Sequence, residues 1–311
     1  MRVMLAMIVW VGALAVDVHG QAFCAMRDPV SGIFKTFPEA HGYSSITRTV
    51  RPDLRMRIAE RLPFTMHFNE LGRHTVYLPL QDETPIGVLH VRSERGRYGL
   101  VEIGWALDLG ADVHTVYFQR CRDGDAKAAM ERLRPNLEGA SLSDLLDLHA
   151  QTSDPSERMV LESGIKTIVV TKDAWGDALQ PWQAKHIAAS QFGAGATVEP
   201  MTIDLSTLGP EYRLHTDAAV AWSVSDAQGK PAGTIVRLDW TLFTHPLDLW
   251  WVIDDQRRMQ ALVRSTGKSD KWCVMLFDML EGKGVGELEA CATASGVIAF
   301  EVIQATTPPT P

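Results

Sequence analysis

Cysteine is scarce. Only four of 311 residues are cysteine, Cys24, Cys121, Cys273 and Cys291, and none lies in a CxxC pair or a CxxCH string. That spacing speaks against a redox dithiol and against covalent haem. In an oxidising compartment the even count allows two bridges in three connectivities. Positive charge is also short: 30 Lys and Arg stand against 38 Asp and Glu, a net charge of −8. No domain-wide basic field exists to neutralise phosphates, which excludes an ordinary nucleic-acid binder. The ten histidines are scattered without an HExxH or paired-ligand spacing, so no structural metal site is expected. No G-x-S-x-G elbow occurs and no Cys–His or carboxylate pair stands out, so a hydrolase is not expected.

What the chain does have is globular: 46 % apolar residues over a length sufficient for two ordinary domains. Arg2 precedes an apolar run, Val3–Val16, and Val18-His19-Gly20 or Gly20-Gln21-Ala22 then offers small residues for cleavage. Fourteen apolar residues fall short of the ~20 that span a bilayer. Residues 1–22 are therefore expected to be a signal peptide, and the mature protein extracytoplasmic. No Leu-x-x-Cys lipobox precedes Cys24.

One stretch, Pro85–Asp108, has a fainter copy later in the chain. A shift of 146 residues superposes Pro85 on Pro231, Gly87 on Gly233, Trp105 on Trp251 and Asp108 on Asp254. Leu137-Glu138-Gly139 recurs as Leu280-Glu281-Gly282, shifted by 143. The order of apolar strands, turn residues and the Trp-x-x-Asp ending is kept, which reads as an internal duplication.

Asp28-Pro29 predicts a helix start, with Val30, Ile33, Phe34 and Phe37 on one face and Pro38 as its stop. A strand over Tyr43–Val50 and a helix over Pro52–Leu62 follow, the latter with Arg51, Arg55, Arg57 and Arg61 on a solvated face. Strands are expected at Thr75–Leu80, Ile86–Arg92, Leu100–Leu107 and Val113–Arg120, with Ser93–Gly99 as a hairpin loop. The links are too short for crossovers, so the strands form an antiparallel meander. Helices follow at Ala126–Leu133 and Leu142–His149. A third begins at the Asp154-Pro155-Ser156-Glu157 cap and ends at Trp175-Gly176 and Pro181. Gln191–Ala196 is the junction. The second unit has strands at Ala218–Ser223, Thr234–Trp240, Leu247–Ile253 and Met259–Arg264, with turns at Asp226–Lys230 and Asp254–Arg257. Helices at Lys271–Leu280 and Val297–Gln304 close it. Trp105 is expected in the core. Adjacent strand residues point to opposite faces, so Trp250 is expected to meet solvent or a partner if Trp251 faces inward.

These features resemble the FMN-binding domain of the membrane electron-transfer subunits found in Rnf and Na+-pumping quinone reductase complexes. The resemblance is carried by Ile33–Tyr43, by Pro85-Ile86-Gly87-Val88, by Gly96–Asp108, and by Phe118–Leu145 with its Leu137-Glu138-Gly139 turn. It covers roughly residues 24–175, with a decayed version over 198–305. It implies an α+β fold of two tandem units, each an antiparallel β-meander flanked by helices. The domains are 23–190 and 191–305, and 306–311 is a disordered tail. It also implies FMN, and an electron-transfer role with a membrane or periplasmic redox partner.

Flavin-esterified relatives carry Ser/Thr-Gly-Ala-Thr. Here the nearest string is Ser163-Gly164-Ile165-Lys166-Thr167, and the second unit has Ser295-Gly296-Val297-Ile298. A non-covalent flavin is thus the expectation, with Arg97, Tyr98, Arg120, Ser163, Lys166 and Thr167 as cofactor-binding residues. Arg95 and Arg122 are further cations, and Trp105 is a further ring that could stack. The alternative is a flavin-free periplasmic interaction or assembly module that keeps only the fold. Neither nucleic acid nor metal is expected as a partner.

Overall fold

Several elements of the earlier part of the chain start from a cap or turn visible in its sequence. The structure, a computed structural model, describes residues 28–66, 72–201, 220–242, 245–256 and 258–263. The expected signal peptide, the two closing helices, the tail, Ser295-Gly296 and cysteines 24, 273 and 291 lie outside these residues. The Asp28 carboxylate accepts the Val30 N–H at 3.0 Å, starting helix α1, Val30–Thr36. Seven residues are too few for a stable isolated helix. Burial of Ile33 and Phe37 holds it, contributing roughly 3–6 kcal/mol at the usual value per large side chain.

Strand β1, Gly42–Thr49, and helix α2, Pro52–Glu60, follow. Strands β2 (Arg73–Gln81), β3 (Thr84–Pro85), β4 (Val88–Gly96), β5 (Gly99–Leu107) and β6 (Val113–Arg120) complete an antiparallel sheet of order β1-β2-β4-β5-β6, with β3 on β2. The turn between β5 and β6 is closed by Asp108, whose carboxylate accepts the N–H groups of Gly110 and Asp112. Helices α3 (Gly124–Leu137), α4 (Leu142–Gln151) and α5 (Pro155–Phe192) come next. A second antiparallel sheet comprises β7 (Thr197–Met201), β8 (Val220–Ser225), β9 (Pro231–Leu242), β10 (His245–Asp254) and β11 (Met259–Val263), in the order β11-β10-β9-β8-β7. The described residues thus form an α+β fold with two sheets, and none of their helices is long and apolar enough to cross a membrane.

The two sheets share strand order, and β4–β5–β6 and β9–β10–β11 also share register. Gly96 opposes Gly99 and Leu242 opposes His245; Trp105 opposes Val116 and Trp251 opposes Leu262. Each second pair lies 146 residues after the first. A Cβ on Gly87 would strike the Phe37 ring and the Leu107 carbonyl; on Gly233 it would strike the Phe192 ring and the Ile253 carbonyl. The same shift relates Gly87 to Gly233 and Leu107 to Ile253. On one face of the first sheet α1 packs Ile33 and Phe37 against Leu89, Val91 and Ala106. In the second sheet the corresponding Ile235 and Val252 receive Ala184, Ile187, Ala188 and Phe192, the last turns of α5.

Four expectations need correction. The loop Ser93–Gly99 is only a two-residue turn, Arg97-Tyr98. β4 runs on through Gly96, because Arg92, Ser93 and Glu94 are buried strand residues. Helix α5 does not stop at Trp175-Gly176 or Pro181. Pro181 forgoes one backbone bond, but Leu179, Gln183, Ala184 and Ile187 remain buried beyond and before it, and Gln183 Nε2 donates to the Leu109 carbonyl. Strand β7 was not expected; it carries Pro200 and lies at a sheet edge, where proline is tolerated. Trp250 does not face solvent: it stacks on Trp222 at 5.2 Å, and both Trp250 and Trp251 are buried.

Candidate functional site

The residues expected to hold a cofactor fall near one end of the first sheet and on the helix that crosses it. Strand β4 turns Val88, His90, Arg92 and Glu94 toward α5, and Leu89 and Val91 toward α1. Three of the four inward positions are polar, where a strand under a helix ordinarily presents apolar side chains. Helix α5 answers with Ser163, Thr167 and Thr171 at i, i+4, i+8, all fully buried, with Lys166 beside them.

The hydrogen bonds fix this interior. Trp105 Nε1 donates to Ser163 Oγ at 3.1 Å, and Thr167 Oγ1 donates to the Ser163 carbonyl at 2.7 Å. Lys166 Nζ donates to Glu94 Oε2 at 2.6 Å, with both side chains almost wholly buried, and Arg92 Nε lies 3.8 Å from Glu94 Oε1. His90 Nδ1 shares a hydrogen bond with Thr171 Oγ1 at 3.0 Å, and its ring meets His74 and Trp175 edge-on. Burial, then the neighbouring His74 and Arg92, hold the His90 pKa well below its ordinary value, so the ring is neutral at neutral pH. The small residue Gly164 lets Trp105 close over this row: a Cβ there would lie 2.6 Å from the indole.

At the hairpin end the arrangement is exposed and electrostatically balanced. Gly99, at φ 113°, makes the two-residue turn accessible to the chain. Arg97 donates its backbone N–H to Asp123 at 3.0 Å, pairs with Asp125 at 3.4 Å, and sits 5.4 Å from the Tyr98 ring centroid. Tyr98 is 63 % exposed. Asp123 caps α3 by accepting from Asp125 N and Ala126 N, and Asp154 caps α5 by accepting from Ser156 N and Glu157 N. Arg132 bridges Asp154 at 2.6 Å and Glu157 at 2.7 Å. The Thr152 hydroxyl, and then Arg132, hold the Glu157 carboxyl below its ordinary range. Between these helix starts and the hairpin runs a groove of about 670 Å³. A smaller one, about 340 Å³, is lined by Glu94, Arg95, Arg158, Glu162 and Lys166.

The structure therefore brings Arg97 and Tyr98 together at the sheet end where Arg120 also finishes β6, opposite Glu102. It places Lys166 at the rim of the smaller groove, and it buries Ser163 and Thr167 behind Trp105. Ser163, Lys166 and Thr167 are not open to an FMN phosphate, while Arg97 and Tyr98 stay exposed at the hairpin. A flavin phosphate needs donors still open to it, but the first-turn N–H groups of both helices already bind their own aspartate caps. The Ser163 and Thr167 hydroxyls face inward, and Lys166 is held by Glu94. The isoalloxazine needs a flat apolar slot, and charged residues make up half or more of the lining of each groove here. The buried row His90, Arg92 and Glu94 was missed in the sequence, although its period of two within a strand was the signal. Cys121, half-buried, is a free thiol whose pKa burial raises. Among the described residues no group of three or more His, Cys, Asp or Glu converges as a metal site. Comparison with family models, with curated proteins and with solved structures finds no match for this chain.

Proposed function

We propose that this chain is an exported, internally duplicated module with an FMN-binding-like fold that works without flavin, as an interaction or assembly protein. The duplication is supported by the register that β4–β5–β6 and β9–β10–β11 share at a constant shift of 146 residues, and by the Phe37–Gly87 and Phe192–Gly233 contacts. One observation carries the flavin-free reading: the string that would meet the phosphate is closed off, with Ser163 and Thr167 fully buried and Lys166 neutralised by Glu94. Export rests on the N-terminal apolar run and its small-residue cleavage sites.

The competing reading, an electron-transfer module with non-covalent FMN and a membrane or periplasmic redox partner, keeps one observation in its favour. Tyr98 offers an exposed ring beside the Arg97 guanidinium at the open end of the sheet. A visible absorption spectrum of the purified mature protein, followed by titration with FMN monitored by flavin fluorescence, separates the two. A colourless protein that leaves FMN fluorescence unchanged is the expected result. A yellow protein, or saturable quenching, sinks the flavin-free reading and returns the chain to electron transfer.

A further inference from the structure

A second groove, unrelated to the hairpin end, runs between the two sheets. It encloses about 1110 Å³, close to the upper end for small-ligand sites, and draws its walls from β1, α2, the middle of α5 and β9. Six of its lining residues are cations: Arg48, Arg51, Arg57, Arg61, Lys172 and Arg237. Three are carboxylates, Asp53, Asp173 and Asp177. Counted over these residues the groove carries an excess of three positive charges, within a chain whose net charge is −8.

The carboxylates anchor part of the array. Arg48 is bidentate to Asp177 and also donates to the Ala174 carbonyl at 2.7 Å. Arg61 pairs with Asp173, and Arg57 lies 4.0 Å from Asp53. The Arg48 hydrogen bonds hold the Asp177 carboxyl below its ordinary range. These pairs fix the side chains in place across the gap between α5 and the β1–α2 corner. Arg237 enters from the second sheet, with 6 % of its surface exposed. Helix α2 begins at the groove without a side-chain cap, so its positive end adds to the same field. Arg51 and Arg57 stand about 9 Å apart along the α2 axis. A single small anion would reach only part of such an array.

We propose that this groove binds a ligand bearing several phosphate groups, held by arginines from both sheets at once. Guanidinium forks match phosphate oxygens bidentately, and Arg suits the task better than Lys for that reason. The phosphates can come from a soluble polyphosphate-type compound or from the headgroups of an anionic membrane. The proposal goes beyond the flavin question and stands whichever way that is answered.

The test uses the full mature chain at about 0.15 M salt, where screening removes all but close charges. Sodium tripolyphosphate is titrated by calorimetry in one arm. In the other, the protein is co-sedimented with vesicles of phosphatidylcholine and phosphatidylglycerol, three to one. The variant Arg51→Gln/Arg57→Gln leaves the Arg48–Asp177 and Arg61–Asp173 anchors untouched, and circular dichroism checks its fold. It should weaken binding at least about tenfold, the effect of roughly 1.4 kcal/mol, with a shallower salt dependence. Arg55→Gln, on the same helix but outside the groove lining, should stay within about twofold. Binding of tripolyphosphate names a soluble ligand; binding to vesicles alone names a headgroup. Absence of binding in both arms, or binding unchanged in the double variant, overturns the proposal.

Discussion

Replacing Lys166 with Met removes an ammonium 2.6 Å from Glu94 Oε2 and leaves a side chain of similar length in its place. Glu94 then remains buried, with 7 % of its side chain exposed and its nearest cation Arg92 at 3.8 Å. Breaking a buried pair by deleting one partner costs about 3–5 kcal/mol. Arg92 retains part of the compensation, so the low end, ~3 kcal/mol, is expected. For a unit of this size that is a fall in Tm of roughly 6–12 °C. Glu94→Gln should cost more, ~4–5 kcal/mol, because it leaves Lys166 and Arg92 as two buried cations with no carboxylate between them. The double variant should be less damaging than the sum by about 0.5–3 kcal/mol. Denaturant unfolding of the four proteins closes the cycle. A Lys166→Met cost under about 1 kcal/mol with no coupling to Glu94 would refute the buried pair, and would return Lys166 to the pool of cations free to bind a ligand.

His90 makes stability depend on acidity. Its folded pKa lies well below its ordinary value, so the unfolded chain takes up a proton that the folded one refuses. The contribution is complete above about pH 6.5 and falls by ~1.4 kcal/mol per unit as the pH drops from there toward the folded pKa. His90→Gln should flatten the stability profile between about pH 6.5 and pH 5; an unchanged acid slope would remove His90 as its source. Gly87→Val and Gly233→Val should each destabilise by about 1–3 kcal/mol through the same collision with a phenylalanine ring, measured as matched shifts in denaturation midpoint. One costly and one neutral substitution would break the equivalence of the two positions. Asp154→Ala should cost about 0.5–2 kcal/mol as a lost N-cap, visible as a lowered Tm, and no change would mean the α5 start is held by Arg132 and Glu157 without it.

The meander was legible because its punctuation is local. Asp108–Asp112 and Asp226–Lys230 announce turns by residue type alone, and the bounds of β5 and β6 follow within a residue. What escaped was decided by tertiary contacts. The residues Ser93 and Glu94 read as loop because their type is polar, while the partner that buries Glu94 is Lys166, 72 residues away. Pro181 read as a stop because proline breaks a backbone bond, while the apolar contacts that carry α5 past it come from a sheet not yet reached in the chain. The candidate site fared least well. Ser163, Lys166 and Thr167 rest on likeness to a family string, and that likeness does not reveal that Trp105 closes over Ser163. Arg51, Arg57 and Arg61 read as a solvated face, yet they line a groove whose opposite wall comes from α5 and β9.

Helix α5 has a consequence for engineering. Its 38 residues extend ~57 Å as one rod, and its last turns form part of the second sheet's core while its earlier turns cover the first. No peptide bond divides the chain into two complete halves. A cut near residue 180 strips the later sheet of its support, and a cut near residue 193 hands that support to a fragment with nothing to lay on it. The later sheet cannot be transplanted or expressed without the last turns of α5 unless Ile235, Trp250 and Val252 are exposed to water.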